Sequence, residues 1–175
     1  VVLTARSLGA DRIAVVVGHQ KEAVKESFNT RSSSDLVWVD QNERLGTGHA
    51  VRLALEELAT KSSVIVLYGD VPLLGINSLK ACVDEANSGH IAVLVGEVVE
   101  PAGFGRILRD SHGAISGIVE EKDASPEQRD IHEINTGIIA ASGVSLKELI
   151  FQIDKKNRQG EYYLTDVVAE AYRRG

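Results

Sequence analysis

Apolar residues along this chain fall into two rhythms. Four stretches are apolar with little alternation: Ile13–Val17 (IAVVV), Val64–Tyr68 at the head of VIVLYGDVPLL, Ile91–Glu97, and Glu133–Ala141 (EINTGIIAA). Such stretches predict strands buried on both faces. Leu36–Val39 predicts a fifth, shorter strand. The other rhythm is helical. Apolar positions 1, 2, 5 and 8 predict the tail of a helix closed by Gly9. Lys21–Phe28, His49–Leu58 and Ile76–Asn87 predict further helices. So does Val144–Ile153, with Leu146, Leu149, Ile150 and Ile153 on one face. A last helix, Thr165–Arg174, starts with Thr165 or Asp166 as its cap. Polar loops cover 29–35, 41–48 and 155–160. Up to residue 97 strands alternate with helices, which predicts βαβ units and a mostly parallel sheet. Then a β-hairpin follows, Arg106–Arg109 with Ile115–Glu120, and a charged excursion, Glu121–Asp130, around Pro126. The expected fold class is therefore α/β, one domain with a hairpin insertion. No internal repeat or low-complexity segment interrupts it.

Composition narrows the function classes. A length of 175 residues, 43% hydrophobic and 25% charged, suits one soluble domain with a real core. A net charge of −6 with no basic cluster argues against a nucleic-acid partner. Polyphosphates remain possible ligands, since a local metal and local amides can bind them. The one cysteine, Cys82, excludes an internal disulfide and a Cys-based zinc site, fits a reducing compartment, and reads as a small buried residue. No apolar run is long enough to cross a bilayer, and no signal-peptide pattern opens the chain. The five histidines show no metal-ligand spacing, and GxSxG is absent, so covalent catalysis is not suggested.

The candidate chemistry sits at strand ends. Asp70 follows Gly69 where the Val64–Tyr68 strand stops, the position at which open α/β sheets bind ligands. A single carboxylate there suits Mg²⁺ shared with substrate phosphates; Asp70 reads equally as a turn residue or a helix N-cap. In QNERLGTG, Gly46 and Gly48 flank Thr47 before a helix, so backbone amides can approach a ligand, and Gln41 offers the paired donor and acceptor that a nucleobase edge needs. A plain loop-to-helix connection explains the glycines as well. Gly103 and Gly105 at the hairpin mouth permit close approach of a sugar, or form a bulge. Glu120, in the Glu120-Glu121-Lys122 cluster, can accept hydrogen bonds from sugar hydroxyls, or be solvated surface. Asn135, early in a buried strand, needs a partner for its amide, either a ligand or a local structural bond.

These motifs, QNERLGTGHAV, VLYGDVPLL, GFGRILRD, GIVEEKDASPEQR, EINTGI and GEYYLTDVVAEAY, stand together in this order and spacing. The chain resembles the uridyltransferase (pyrophosphorylase) domain of the bacterial bifunctional N-acetylglucosamine-1-phosphate uridyltransferases/glucosamine-1-phosphate acetyltransferases along its whole length. The resemblance implies a Rossmann-like mixed sheet of the nucleotide-diphospho-sugar transferase type. It implies uridylyl transfer from UTP to N-acetylglucosamine 1-phosphate with Mg²⁺, giving UDP-N-acetylglucosamine and pyrophosphate. It also implies a cytoplasmic role in making cell-envelope precursors, peptidoglycan and lipopolysaccharide. By that resemblance Gln41, Gly46 and Thr47 contact the uracil, and Tyr68 and Gly69 line the nucleotide site. Asp70 is the catalytic metal ligand, and Gly105, Glu120 and Asn135 hold the N-acetylglucosamine, with Thr165 a further candidate.

The family's Gly-rich phosphate loop, its second metal ligand and its trimer-forming acetyltransferase β-helix do not occur in these residues. The expectation is a partial nucleotidyltransferase domain over residues 1–175, lacking an N-terminal strand between Ile13–Val17 and Val64–Tyr68, that does not turn over alone. The alternative classes are a nucleotide-sugar-binding module or inactive fragment, and a metal-dependent glycosyltransferase. The last would normally offer an Asp-x-Asp pair, whereas Asp70 is followed by Val71-Pro72.

Overall fold

The computed structural model describes residues 1–28, 34–58 and 61–175. Most of the loop expected over 29–35, namely 29–33, lies outside the described residues. In chain order the elements are α1 (Val2–Ser7), β1 (Ile13–Val17), α2 (Lys21–Glu26), β2 (Leu36–Asp40), α3 (Thr47–Glu57), β3 (Ser63–Val66) and α4 (Ile76–Asn87). Then come β4 (Ala92–Glu97), β5 (Arg106–Arg109), β6 (Ile115–Val119), α5 (Pro126–Arg129), β7 (Glu133–Ser142), α6 (Gly143–Ile150) and α7 (Asp166–Arg174).

The strand at the centre is β7. Ile138, Ile139, Ala140 and Ala141 are all 0% exposed, so this stretch is buried on both faces as predicted. β4 lies antiparallel along one edge, from Ala92 opposite Ala140 to Glu97 opposite Glu133. The other edge is shared. β3 pairs with the last residues of β7, Ser63 opposite Ser142 through Val66 opposite Ile139. β5 meets its beginning, Arg106 opposite Ile134, and carries β6 beyond it. β1 and β2 pair in parallel as a separate two-stranded sheet.

This corrects the expectation of a mostly parallel sheet. Only β1 and β2 pair in parallel; every pairing in the five-stranded sheet is antiparallel. An apolar run records that both its faces are covered, not which way its neighbours run. β7 arrives late in the chain and inserts between β3 and β4, so these two consecutive strands are not partners. The predicted strand Val64–Tyr68 is also shorter and less buried than expected. β3 stops at Val66 and its residues are only partly buried, because it has one paired edge among the described strands.

Strand alternation supplies two apolar faces. Val64 and Val66 of β3, Val93 and Val95 of β4, and Ile139 and Ala141 of β7 face the larger core, where α3, α6 and α7 pack through Leu55, Leu146, Ile150 and Val167. Ile65, Ala92, Leu94 and Ala140 point to the opposite face, against Cys82 and Ala86 of α4. Cys82 is the small buried residue expected, and burial pushes its thiol pKa up. α3 packs against β1, β2 and α6, and so links the two sheets.

The charged excursion holds an unpredicted helix. α5 has Pro126 at its first turn and a capping box, in which Ser125 accepts from the Gln128 amide while the Gln128 side chain accepts from the Ser125 amide. The predicted loop before α3 ends at Gly46, so Thr47 opens that helix. α6 stops at Ile150 rather than Ile153, although Ile153 remains buried.

Candidate functional site

Because β3 and β5 share one edge of β7 without meeting, that edge opens between them, along Asn135–Gly137. The backbone makes this opening. Gly137 has φ +86°, a left-handed conformation that strains any residue with a Cβ. The Tyr68 ring fills the space beside it: a Cβ on Gly137 would lie 2.8 Å from Tyr68 Cε2. From the β5 side, the Asn135 amide donates to the Gly105 carbonyl at 2.8 Å.

Three predicted sugar residues meet here. A Cβ on Gly105 would stand 3.3 Å from Glu120 Oε2 and 3.6 Å from Asn135 Cβ. The Asn135 side-chain oxygen Oδ1 accepts from the Gly137 amide at 3.0 Å, a local structural bond, while the side-chain nitrogen Nδ2 donates to no described group. Thr165 joins them. It is 3% exposed, and its hydroxyl donates to Glu120 Oε1 at 2.8 Å instead of capping α7. Thr165 stands at the N-cap position of α7 as expected, but its backbone is already helical, φ −60° and ψ −23°, rather than in the extended conformation from which a cap side chain reaches the N2 and N3 amides.

The predicted nucleotide residues Gln41, Gly46 and Thr47 sit together where β2 leads into α3. Gln41 begins where β2 ends, its amide donating to the Val17 carbonyl at 2.8 Å. Its side-chain nitrogen lies 3.1 Å from both the Gly46 carbonyl and His49 Nδ1. The Thr47 hydroxyl accepts from the Leu164 amide at 3.0 Å, and Thr47 is near enough to the Tyr68 phenol to influence its pKa. Burial raises the Tyr68 pKa above the usual phenol value. Thr47 opposes the shift, and the negative charges of Glu120 and Asp70 add to it. Tyr68 therefore stays a neutral phenol, with Glu120 and Asp70 both within electrostatic reach.

The glycines of the 41–48 loop also make room for another part of the chain. A Cβ on Gly46, at φ +103°, would lie 2.4 Å from the Tyr162 carbonyl oxygen, and the Gly48 amide donates to that same oxygen at 2.8 Å. The Tyr162 amide in turn donates to the Leu45 carbonyl at 2.7 Å. The close approach these glycines allow is to residues 161–162, and the Gly48 amide is already committed. Gly69 differs: nothing lies within 4 Å of its Cβ position.

Asp70 is exposed in a turn, in which the Val71 amide donates to the Tyr68 carbonyl at 3.3 Å. It is not a helix cap, since α4 begins after Gly75. Among the described residues its carboxylate has no hydrogen-bond or ion-pair partner, and no group of three His, Cys, Asp or Glu side chains gathers anywhere. A lone open carboxylate fits a hard cation that takes most of its ligands from phosphates and water, and does not fit a protein-built cage.

The far side of the site is acidic. Asp166 is pushed up from 3.8 to about 6, first by burial, then by Asp154, Glu120 and Asp123, with Arg173 opposing. The sequence reading missed three contributors. Arg106, 1% exposed, donates to Glu121 Oε2 at 2.8 Å and to the carbonyls of Phe104 and Arg129, tying the hairpin to α5. No local pattern marks it as buried. Tyr162 and Arg52 also belong to the surroundings of the site. The capping motif Ser125-Pro126-x-Gln128 was the available signal for α5.

The fold and its relatives agree. The chain superposes on the crystal structure of a UDP-glucose pyrophosphorylase complexed with UDP-glucose with a TM-score of 0.79 and 18% identity, over 99% of this chain and 74% of that one. The apo form of that enzyme gives 0.77 and 17%. The fold is thus that of the nucleotide-diphospho-sugar transferases, as expected. In sequence the chain is 46% identical over 175 residues to the bifunctional protein GlmU of Neisseria gonorrhoeae, covering all of this chain and 37% of that protein. It is 45% identical over 171 residues to GlmU of Xylella fastidiosa strain M23, covering 98% and 36%. The chain therefore spans little more than a third of these relatives. Residues 1–130 match the model of the MobA-like NTP transferase domain. With its nucleotidyltransferase fold, the chain belongs to the MobA-like NTP transferase family.

Proposed function

We propose that this chain is part of a uridylyltransferase that joins UTP and N-acetylglucosamine 1-phosphate into UDP-N-acetylglucosamine, releasing pyrophosphate, in a bacterial cytoplasm. The observation that carries the reading is the arrangement of the site around Tyr68. Tyr68 is the residue at which two groups meet: Thr47, which adjoins the Gln41–Gly46 loop, and Glu120, which Thr165 fixes and Gly105 and Asn135 adjoin. Glu120 and Asp166 make the second group unsuited to phosphate and suited to the hydroxyl and amide groups of a sugar. The Gln41 side-chain nitrogen is held by the Gly46 carbonyl and His49, which leaves the side-chain oxygen to accept from a uracil N–H.

The sugar phosphate is already an anionic nucleophile, so its attack on the α-phosphorus needs little proton transfer. Positioning and charge neutralisation are the main tasks. Asp70 would hold Mg²⁺, which when bound neutralises the charge of the approaching phosphates. Tyr68, kept neutral, packs over Gly137. Glu120, fixed by Thr165, and the uncommitted Asn135 side-chain nitrogen Nδ2 orient the sugar. Gly69 leaves room for a ligand to approach the backbone.

Residues 1–175 would then be a partial domain that does not turn over alone. The lack of pairing between β1 and β3 among the described strands supports a sheet that accepts one more strand between them. A nucleotide-sugar-binding role without turnover is the second reading, favoured by the exposure of Asp70. The test is pyrophosphate release by the complete protein with UTP, N-acetylglucosamine 1-phosphate and Mg²⁺. Asp70→Asn should abolish it while moving stability by less than about 0.5 kcal/mol, because the carboxylate has no protein partner to lose. Unchanged turnover at saturating Mg²⁺ would remove Asp70 from the reaction.

A further inference from the structure

The two halves of the site are joined by one strap of chain, residues 162–165. At one end the Tyr162 amide donates to Leu45, and its carbonyl accepts from Gly48. The Leu164 amide donates to the Thr47 hydroxyl. At the other end Thr165 donates to Glu120. Every one of these bonds spans a long separation in sequence, and together they connect the Gln41–Gly48 loop to the carboxylate on the sugar side.

The strap itself is held at Tyr162 by a side chain from α3. The Arg52 guanidinium carbon lies 4.7 Å from the Tyr162 ring centroid and 4.8 Å from that of Phe151. Its terminal nitrogen donates to the Ile150 carbonyl at 2.8 Å, at the end of α6, where a cation is favoured. Lys155 sits 5.4 Å from the same Tyr162 ring. Arg52 Nε is buried with no hydrogen-bond partner, the sole such side-chain atom among the described residues. A planar cation stacked on two rings, at the cost of an unmet donor, is placed for the rings rather than for its full hydrogen-bonding capacity.

We propose that Arg52 is a positioning residue, which by clamping Tyr162 sets the strap that aligns the nucleobase loop with Glu120 and so couples the two substrate half-sites. The proposal rests on the assignment of those half-sites given above. Arg52 touches no reacting group; its effect passes through Tyr162, first to Gly48 and Leu45, and then along the strap to Thr47 and Glu120.

The experiment compares wild type, Arg52→Ala, Arg52→Lys and Phe151→Leu in the complete protein. KM for UTP and for N-acetylglucosamine 1-phosphate should rise together in Arg52→Ala, by about fivefold or more, with a smaller change in kcat. Arg52→Lys keeps the charge but not the planar stack, so it should rescue only in part. Phe151→Leu removes one ring from an exposed position and should give a weaker form of the same paired rise. It decides the matter if Arg52→Ala does not fold. Both KM values unchanged, or only one raised, would overturn the proposal even if the melting temperature falls.

Amide hydrogen exchange separates this proposal from the substrate assignment, because it needs no turnover. Exchange at Gly48 and Leu164 should accelerate in Arg52→Ala relative to the β7 amides; equal protection in both proteins would overturn the clamp. A wild-type protein that ignores both substrates, yet shows the faster exchange, would refute the assignment and leave the clamp standing.

Discussion

Gly137→Ala tests whether the opening in the sheet is built by the backbone. The left-handed φ of +86° costs an alanine about 1–2 kcal/mol. The new methyl would also stand 2.8 Å from Tyr68 Cε2 and 2.9 Å from Cδ2, inside the contact limit. Overpacking of this kind adds about 1–3 kcal/mol. The sum, about 2–5 kcal/mol, is a large part of the stability of an ordinary domain. Urea unfolding followed by the fluorescence of Trp38 gives the loss directly, with the slope m as a check that the transition stays two-state. The two contributions separate in a double-mutant cycle. With Tyr68→Ala in place the methyl has room, so Gly137→Ala should then cost only the backbone part, and the coupling should be about 1–3 kcal/mol. A loss below about 0.5 kcal/mol in the single variant would refute the reasoning, since no other feature of β7 could absorb both effects. Zero coupling would refute the steric half alone.

Glu120→Ala should weaken N-acetylglucosamine 1-phosphate binding by about 2 kcal/mol and UTP binding by much less, because a site built on hydrogen bonds leaves its partners unpaired when one is removed. Calorimetry with each ligand measures both, and equal losses would make Glu120 structural. Asp166 gives a pH dependence. Its pKa is about 6 in the folded protein against 3.8 for the free carboxyl, so the folded state holds the proton longer and stability falls as pH rises from about 4 to 6. Asp166→Asn should flatten that slope and raise the urea midpoint above pH 6. A midpoint with the same pH profile in both proteins would show that the carboxyl is not perturbed.

Much of the architecture was readable in the chain because burial leaves a direct trace. The 138–141 run is apolar at every position and is covered on both faces. Gly105, Glu120 and Asn135 lie beside one another at strand ends, where an α/β sheet leaves backbone open. What was not readable depends on partners distant in sequence. Nothing in Val64–Val66 says that its neighbour is residue 139 rather than another βαβ strand. Gly46 and Gly48 look like a ligand loop, and it takes Tyr162 to show that their missing side chains make room for another part of the chain. Thr165 stands where a cap belongs, and only the fold shows that its hydroxyl donates to Glu120 and caps nothing.

The late position of β7 has a consequence for how the chain reaches this structure. β1 and β2 are separated by few residues and can pair as soon as they leave the ribosome. β3 and β4 cannot: their one shared partner lies beyond residue 132, so both wait with apolar faces and open backbone until some seventy and forty more residues, respectively, have been made. At about 5–20 residues per second the wait lasts seconds, far longer than a nascent chain needs to find a wrong partner. Synthesis speed between residues 66 and 142, and chaperone access during it, should therefore govern the yield of folded protein more strongly than the same variables elsewhere in the chain.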